Sequence, residues 1–136
     1  MTDSLGPHNL GNTCAFLIDG GGSTPLEITE TFREELAGGK LDRFGTGKLV
    51  TCFDFDSDWS NWERHPAGDE FVCLLSGAVD MILDQEGIET VIELREPGTF
   101  TLIPAGIWHT AKMVSLAKML FITPGEGTEH RVRSKE

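Results

Sequence analysis

Turn residues recur about every ten positions through the middle of this chain, and this spacing constrains the fold more than any other feature. Glycines mark the turns near Gly77, Gly87, Gly98 and Gly106. The segment from Ala78 to Leu83 places apolar side chains at every second position on one face, which is the period of a strand. Short strands separated by such turns are typical of a sandwich or barrel. The pattern predicts an all-β domain.

Neighbouring segments extend this strand pattern on both sides. In the segment Ile88 to Leu94 most of the apolar residues share one strand face and the glutamates lie on the other. Phe100 and Leu102 are predicted to continue the inward-facing set. Lys48 to Phe55 and Leu116 to Thr123 are rich in strand-forming residues, and each carries apolar residues on both faces. One small barrel interior cannot absorb that much apolar surface. These two strands therefore predict a homodimer.

The ends of the chain predict less regular structure. Residues 1–13 and 125–136 are polar and contain turn residues, so both terminal segments are expected to be loose, with His130 in solvent. Between Thr29 and Leu36 a threonine precedes acidic residues, and two apolar side chains share a face. This arrangement predicts one short N-terminal helix that packs on the strands.

Composition narrows the class of protein. A chain of 136 residues suits a single domain. Its formal net charge of −11 argues against binding to nucleic acid or to an anionic membrane surface, because both need a basic footprint. No stretch approaches the about 20 apolar residues of a membrane span, and the N-terminus lacks the pattern of a signal peptide. The three widely spaced cysteines are expected to be free thiols, which makes the cytoplasm the expected compartment.

The stretch from Trp62 to Gly77 carries the first candidate functional residues. Glu63 and His65 stand two apart, so on an extended chain both side chains leave the same face. A proline and a glycine then break the strand and could turn Glu70 back beside them. Two carboxylates and an imidazole at one spot are oxygen and nitrogen ligands for a metal. The alternative is that Glu63 is solvated and His65 caps a turn, and this stretch alone leaves both interpretations open.

A second stretch, Gly98 to His109, contains a short strand, a Pro-x-Gly turn and the start of a strand that carries one histidine. The two stretches together resemble the paired motifs of the cupin superfamily. The first family motif reads Gly, five residues, His-x-His, three or four residues, Glu, six residues, Gly. The second reads Gly, five residues, Pro-x-Gly-x-x-His, and usually Asn four residues later. The resemblance covers roughly Lys48 to Thr123.

Most motif positions match, and three depart from the family pattern. Glu63 stands where the first histidine is usual, Met113 occupies the asparagine position, and the opening glycine of the first motif is missing. The matching residues are His65, Glu70, Gly77, Gly98, Pro104, Gly106 and His109. The resemblance implies a jelly-roll barrel, with residues 48–123 as the barrel core of a single domain spanning 1–136.

The resemblance also implies a metal site inside the barrel. His65, Glu70 and His109 would bind a divalent metal ion, and Glu63 would be a fourth ligand or, if uncoordinated, a general base. This set would favour manganese or iron, with zinc and nickel still possible. Met113, on the strand face of His109, would make the floor of a substrate pocket more hydrophobic. The alternative is a degenerate cupin whose ligand residues only hydrogen-bond one another.

Cupins host dioxygenases, sugar isomerases, lyases, storage proteins and ligand sensors, so the fold alone argues weakly for any one activity. The leading hypothesis is a small metal-dependent enzyme, of oxygenase, isomerase or lyase type, that acts on a small oxygenated or anionic metabolite. The rival is a non-catalytic cupin that binds a metal or ligand, as a sensor does. Cupins commonly pair through their sheets, which supports the expected homodimer.

Overall fold

The computed structural model describes residues 5–37 and 45–133, and within these residues the chain forms eleven β-strands and one short helix. In chain order the elements are β1 (Thr13–Ile18), β2 (Ser23–Glu27), α1 (Phe32–Ala37), β3 (Gly47–Phe55), β4 (Asn61–Arg64), β5 (Glu70–Ser76), β6 (Val79–Gln85), β7 (Ile88–Leu94), β8 (Phe100–Ile103), β9 (Trp108–Met113), β10 (Ala117–Thr123) and β11 (Glu129–Val132).

The strands make two antiparallel sheets. The six-stranded sheet has the order β2-β1-β3-β10-β5-β8, and the five-stranded sheet has the order β11-β4-β9-β6-β7. Strand pairing among the described residues stays within each sheet, so the sheets do not close into a hydrogen-bonded barrel. The all-β prediction is therefore confirmed. The predicted barrel is present only as two sheets that share a core.

The main hydrophobic core lies between the sheets, because both contribute inward side chains at every second position. Strand β6 has the predicted alternation, since Val79, Met81 and Leu83 are all buried. The other buried members of this core are Val72, Leu74, Leu94, Ile103, Ala111, Ala117, Met119 and Phe121. His109 stands directly opposite Leu83 across the β6–β9 pair, so a predicted ligand borders this core.

Strand β8 faces the opposite way from the sequence prediction. Phe100 and Leu102 are 54% and 60% exposed, whereas Thr101 and Ile103 are buried. The register with β5 explains this, because Ile103 stands opposite the buried Glu70. The prediction that Phe100 and Leu102 point inward is wrong. Alternation along one strand does not show which face its partner strand turns towards the core.

The N-terminal part of the chain packs around a second, smaller core. Of the helix predicted over Thr29 to Leu36, the structure has one helix of six residues, Phe32–Ala37. It is shorter than two turns and adds little to an all-β fold. The buried members of the smaller core are Cys14, Phe16, Leu26, Phe32 and Leu49. No helix within the described part of the chain has the length and hydrophobicity that a membrane span requires.

The C-terminal segment contains a strand that the sequence does not predict. Strand β11 pairs with β4, so the expectation of a loose tail is wrong for these residues. All four side chains of β11 are exposed, and the strand therefore has no apolar face by which it could be recognised. Residues 1–4 and 134–136, which belong to the two segments predicted to be loose, lie outside the described residues.

Candidate metal centre

Four side chains with metal-ligating atoms meet inside the fold. Glu63, His65, Glu70 and His109 each contribute one ligand atom, and these atoms all lie within 4.8 Å of one another. They are the four residues that the two sequence motifs single out. The histidines and Glu70 are at most 5% exposed, whereas the Glu63 side chain keeps 24% of its surface in solvent.

Strand pairing explains why these residues converge. Glu63 on β4 stands directly opposite His109 on β9. His65 follows Glu63 by two residues and therefore leaves the same face. The His65 carbonyl accepts a hydrogen bond of 3.1 Å from the Gly106 N–H, which ties the turn after β4 to the turn before β9. The turn after β4 then leads directly into β5, whose first residue is Glu70.

The ligand atoms are spaced as ligands of a single ion would be. His65 Nε2 lies 3.3 Å from Glu63 Oε1 and 3.5 Å from Glu70 Oε2. His109 Nε2 lies 3.1 Å from Glu70 Oε1 and 3.7 Å from Glu63 Oε1. Ligands about 2.1 Å from a shared ion are separated by about 3.0 Å in octahedral and about 3.4 Å in tetrahedral coordination. The observed separations fall around these values.

Hydrogen bonds on the far side of each ring set the orientation of both histidines. The Thr128 hydroxyl donates to the Gly125 carbonyl at 2.8 Å, so its oxygen is left to accept from His65 Nδ1, also at 2.8 Å. His109 Nδ1 lies 3.0 Å from the Ile107 carbonyl oxygen, which can only accept. Both rings thus carry a proton on Nδ1 and turn Nε2 towards the cluster.

Among the described residues, three buried atoms of the cluster have no aligned hydrogen-bond partner, namely His65 Nε2, Glu70 Oε1 and His109 Nε2. With each ring protonated only on Nδ1, these atoms would be three unsatisfied lone pairs at about 1–3 kcal/mol each, and a cation would satisfy all three at once. The other Glu70 oxygen accepts a hydrogen bond of 2.6 Å from Thr123, which holds the carboxylate in place. The donor set of two imidazoles and two carboxylates fits manganese, iron, zinc or nickel.

The charges of the two carboxylates and the two histidines shift one another's pKa values. Burial disfavours the charged form of each histidine, but the carboxylates of Glu63 and Glu70 outweigh it and raise the pKa of His65 to about 9 and that of His109 to about 10. Burial likewise opposes the charged carboxylates, yet the two histidines hold the pKa of Glu63 and of Glu70 below the usual range. Two negative and two positive side chains therefore balance each other in the metal-free protein.

Two residues of the C-terminal segment reach the centre, and sequence reasoning missed both. Thr128 contacts His65 as described, and His130 Nε2 lies 3.4 Å from Glu63 Oε2. His130 was expected to be solvated, and it is still 55% exposed, but it stands opposite Glu63 in the β11–β4 pair. No local sequence signal marks either residue, because the pairing joins segments more than sixty positions apart.

Met113 lies away from the ligand atoms. It is four residues beyond His109 on β9, about 13 Å along an extended strand, and it packs against the main core. Its role in a substrate pocket stays a prediction. Trp59 is closer, since its ring centroid lies 6.4 Å from that of His109. Within residues 5–37 and 45–133 its buried Nε1 has no hydrogen-bond partner.

No protein-family model matches the sequence, and no curated protein is significantly similar to it. Solved structures do share its architecture. A protein with a double-stranded β-helix domain from Klebsiella pneumoniae is 16% identical, with a TM-score of 0.51, over 63% of this chain and 76% of that one. An oxalate oxidase is also 16% identical, with a TM-score of 0.51, over 65% of this chain and 50% of that one, so this chain spans half the length of the oxidase.

A cupin superfamily protein from Desulfitobacterium hafniense is 26% identical, with a TM-score of 0.48, and the match covers 57% of this chain and 66% of that one. The two structures with a TM-score of 0.51 show a similarity of fold and not of activity. The shared fold agrees with the resemblance to the cupin superfamily that the two motifs carry.

Proposed function

We propose that Glu63, His65, Glu70 and His109 bind one divalent metal ion, and that the protein is a small metal-dependent enzyme acting on a small oxygenated or anionic metabolite. The observation that carries the proposal is the convergence of four ligand atoms, all within 4.8 Å of one another, at separations that suit a shared ion. A bound cation would supply the positive charge that the two carboxylates otherwise draw from protonated His65 and His109.

The four residues have different roles in this proposal. His65 and His109 would bind through Nε2, because their Nδ1 atoms are already engaged. Glu70 would bind as a carboxylate held in place by Thr123. When bound, the ion supplies Lewis-acid chemistry and, if it is iron, the chemistry of oxygen activation. The two carboxylates add negative charge and hard oxygen donors, which favours manganese or iron over copper.

Glu63 is the member of the cluster that meets solvent. One of its oxygens faces both ligand histidines, while the other faces His130 and the outside. A molecule that approaches from solvent would therefore reach Glu63 before the three buried ligands. This position suits either a fourth ligand or a general base that exchanges a proton with the substrate.

The low exposure of the other three ligands favours a second candidate function. His65, Glu70 and His109 are 5%, 2% and 0% exposed, which leaves a substrate little direct access to the ligand atoms. A non-catalytic cupin that responds to the metal ion alone needs no such access. The two candidates share the metal centre and differ in whether a metabolite is converted there.

Metal analysis tests the shared part of both proposals. The protein is purified without an affinity tag, its metal content is measured, and the metal-free form is titrated in competition with chelators for manganese, iron, zinc and nickel. We expect about one ion per chain. Glu70→Gln should weaken binding strongly because it removes a buried charge, whereas Glu89→Gln on the exposed part of β7 is the matched control and should bind as the wild type does. A wild-type protein that binds none of these ions would refute the proposal.

Glu63 variants test the role of the exposed carboxylate. Glu63→Gln keeps the shape and removes the charge, so it should weaken metal binding without loss of the fold, and Glu63→His should shift selectivity towards softer metals. Equal affinity and selectivity in all three proteins would show that Glu63 is not a ligand. Loaded protein is then screened with small carboxylates and sugars. Conversion of any of them that Glu63→Gln abolishes supports the enzyme, whereas binding without conversion supports the sensor.

A further inference from the structure

We propose that the C-terminal segment, residues 125–132, orients two of the four ligand side chains of the metal centre, with Thr128 positioning His65 and His130 positioning Glu63. This inference rests on the proposed metal-binding function and extends it to residues outside both motifs. It assigns a role to a segment whose composition marks it only as a polar tail.

Thr128 determines which nitrogen of His65 faces the cluster. Its hydroxyl proton is committed to the Gly125 carbonyl at 2.8 Å, so the hydroxyl oxygen accepts the Nδ1 proton of His65 at 2.8 Å. The ring therefore cannot rotate or change tautomer without loss of that bond. Partners of this kind, behind a ligand histidine, fix the ring and typically contribute 10–100-fold to metal affinity.

His130 contacts the outer oxygen of Glu63. Its Nε2 lies 3.4 Å from Oε2, while Oε1 of the same carboxylate lies 3.3 Å and 3.7 Å from the Nε2 atoms of His65 and His109. The carboxylate thus bridges the ligand cluster and β11. With its outer oxygen beside His130, Glu63 presents Oε1 to the two ligand histidines.

Contacts on the other face of β11 keep these two residues in register. Glu129 accepts a hydrogen bond of 2.6 Å from Arg64 Nε. Arg131 donates to Asp84 at 2.7 Å and stacks over the rings of Trp62 and Trp108, at 5.2 Å and 4.8 Å from the centroids. Because neighbouring residues of a strand point to opposite faces, this outer contact set leaves His130 on the side of Glu63. Mutations can therefore weaken the attachment of β11 separately from the contacts that Thr128 and His130 make to the ligand side chains.

The test compares positioning variants with a docking variant. Thr128→Val and His130→Leu remove the two contacts to the ligand side chains. Thr128→Ser keeps the hydroxyl and His130→Gln keeps a side-chain N–H, so these two variants test for recovery. Glu129→Gln weakens the attachment of β11 to β4 without changing a residue that contacts a ligand. Metal-free protein is titrated with manganese in chelator competition. Cobalt-loaded protein is examined by electronic absorption, which reports the number and geometry of ligands independently of any activity.

We expect Thr128→Val and His130→Leu each to weaken metal binding by about 10–100-fold and to alter the cobalt spectrum, with recovery in Thr128→Ser and His130→Gln. Glu129→Gln should keep the wild-type spectrum. If wild type binds metal and the first two variants bind it equally well with the same spectrum, this inference is overturned while the metal centre stands. If Glu129→Gln loses as much affinity as they do, β11 acts by docking alone and the inference is again overturned. A wild type that binds no metal overturns both proposals.

Discussion

Glu63, His65, Glu70 and His109 form a neutral group of four charges in the metal-free protein, and this balance governs how a metal enters. The raised pKa values, about 9 for His65 and about 10 for His109, mean that both rings carry two protons at neutral pH. Binding through Nε2 requires that each ring lose one of them. A metal ion therefore replaces two protons and leaves the two carboxylates to neutralise its charge.

Metal affinity should consequently rise with pH. Between about pH 6 and 8 the pH is below the folded-state pKa of both imidazoles. Because both protons must leave, the apparent metal-binding constant should rise by up to about 100-fold for each unit of pH. The measurement is chelator competition at several pH values, with calorimetry in two buffers to count the protons released. An affinity that stays flat over this range would show that the rings are already neutral in the metal-free protein.

Two turn glycines have backbone conformations that are unfavourable for any residue with a side chain. Gly77 joins β5 to β6 with φ of +84°, and Gly87 joins β6 to β7 with φ of +86°. Both lie in the left-handed region, which costs a residue with a side chain about 1–2 kcal/mol. Their surroundings differ. A Cβ on Gly77 would overlap the backbone of Leu116 and Ala117, whereas a Cβ on Gly87 would meet no atom of the described residues within 4 Å.

The two glycines form a matched pair for mutation. Gly87→Ala should lower the free energy of unfolding by about 1 kcal/mol, because only the backbone is strained. Gly77→Ala should cost about 3 kcal/mol or more, since the turn must also move away from the strand that leads into β10. Urea unfolding of both variants measures the difference. Equal losses would mean that the close approach at Gly77 is relieved without cost.

At the scale of the whole molecule, the six-stranded sheet has an apolar outer face. Phe71 and Phe100 stack there with ring centroids 4.9 Å apart, and Leu102 beside them is 60% exposed. The apolar residues that point away from the main core on its four neighbouring strands β3, β10, β5 and β8 are Val50, Cys52, Leu120, Ile122, Phe71, Cys73, Leu75, Phe100 and Leu102. A continuous apolar face of this kind marks an interaction surface.

We expect a second copy of the chain to cover this face. A dimer through it would have a mass of about 30 kDa, twice the 14.9 kDa of one chain, and stable interfaces bury about 1,200–2,000 Å² in total. Leu102→Lys should shift the protein towards monomer, because a charge would be buried at the contact. Ile88→Lys, at a residue 71% exposed in the other sheet, is the control and should stay dimeric. Light scattering that gives a monomer for wild type at micromolar concentration would contradict the prediction.

Local chemistry was enough to predict the all-β class and to single out Glu63, His65 and Glu70 as candidate ligands. Two-residue periodicity and turn glycines act between neighbours in the chain, so they can be read without knowledge of the partner strand. The spacing of Glu63 and His65, with Glu70 after a turn, likewise follows from a few adjacent residues. The position of His109 beside them was implied by the second motif, and the register of β4 with β9 provides it.

Only the tertiary structure decided which faces pair and what surrounds the site. Phe100 and Leu102 look like core residues in sequence, yet the register with β5 turns them outward. Thr128 and His130 look like residues of a polar tail, yet pairing of β11 with β4 brings them to His65 and Glu63. The physical reason is the same in both cases. Register and facing depend on hydrogen bonds between segments far apart in the chain, and no pattern within one segment encodes them.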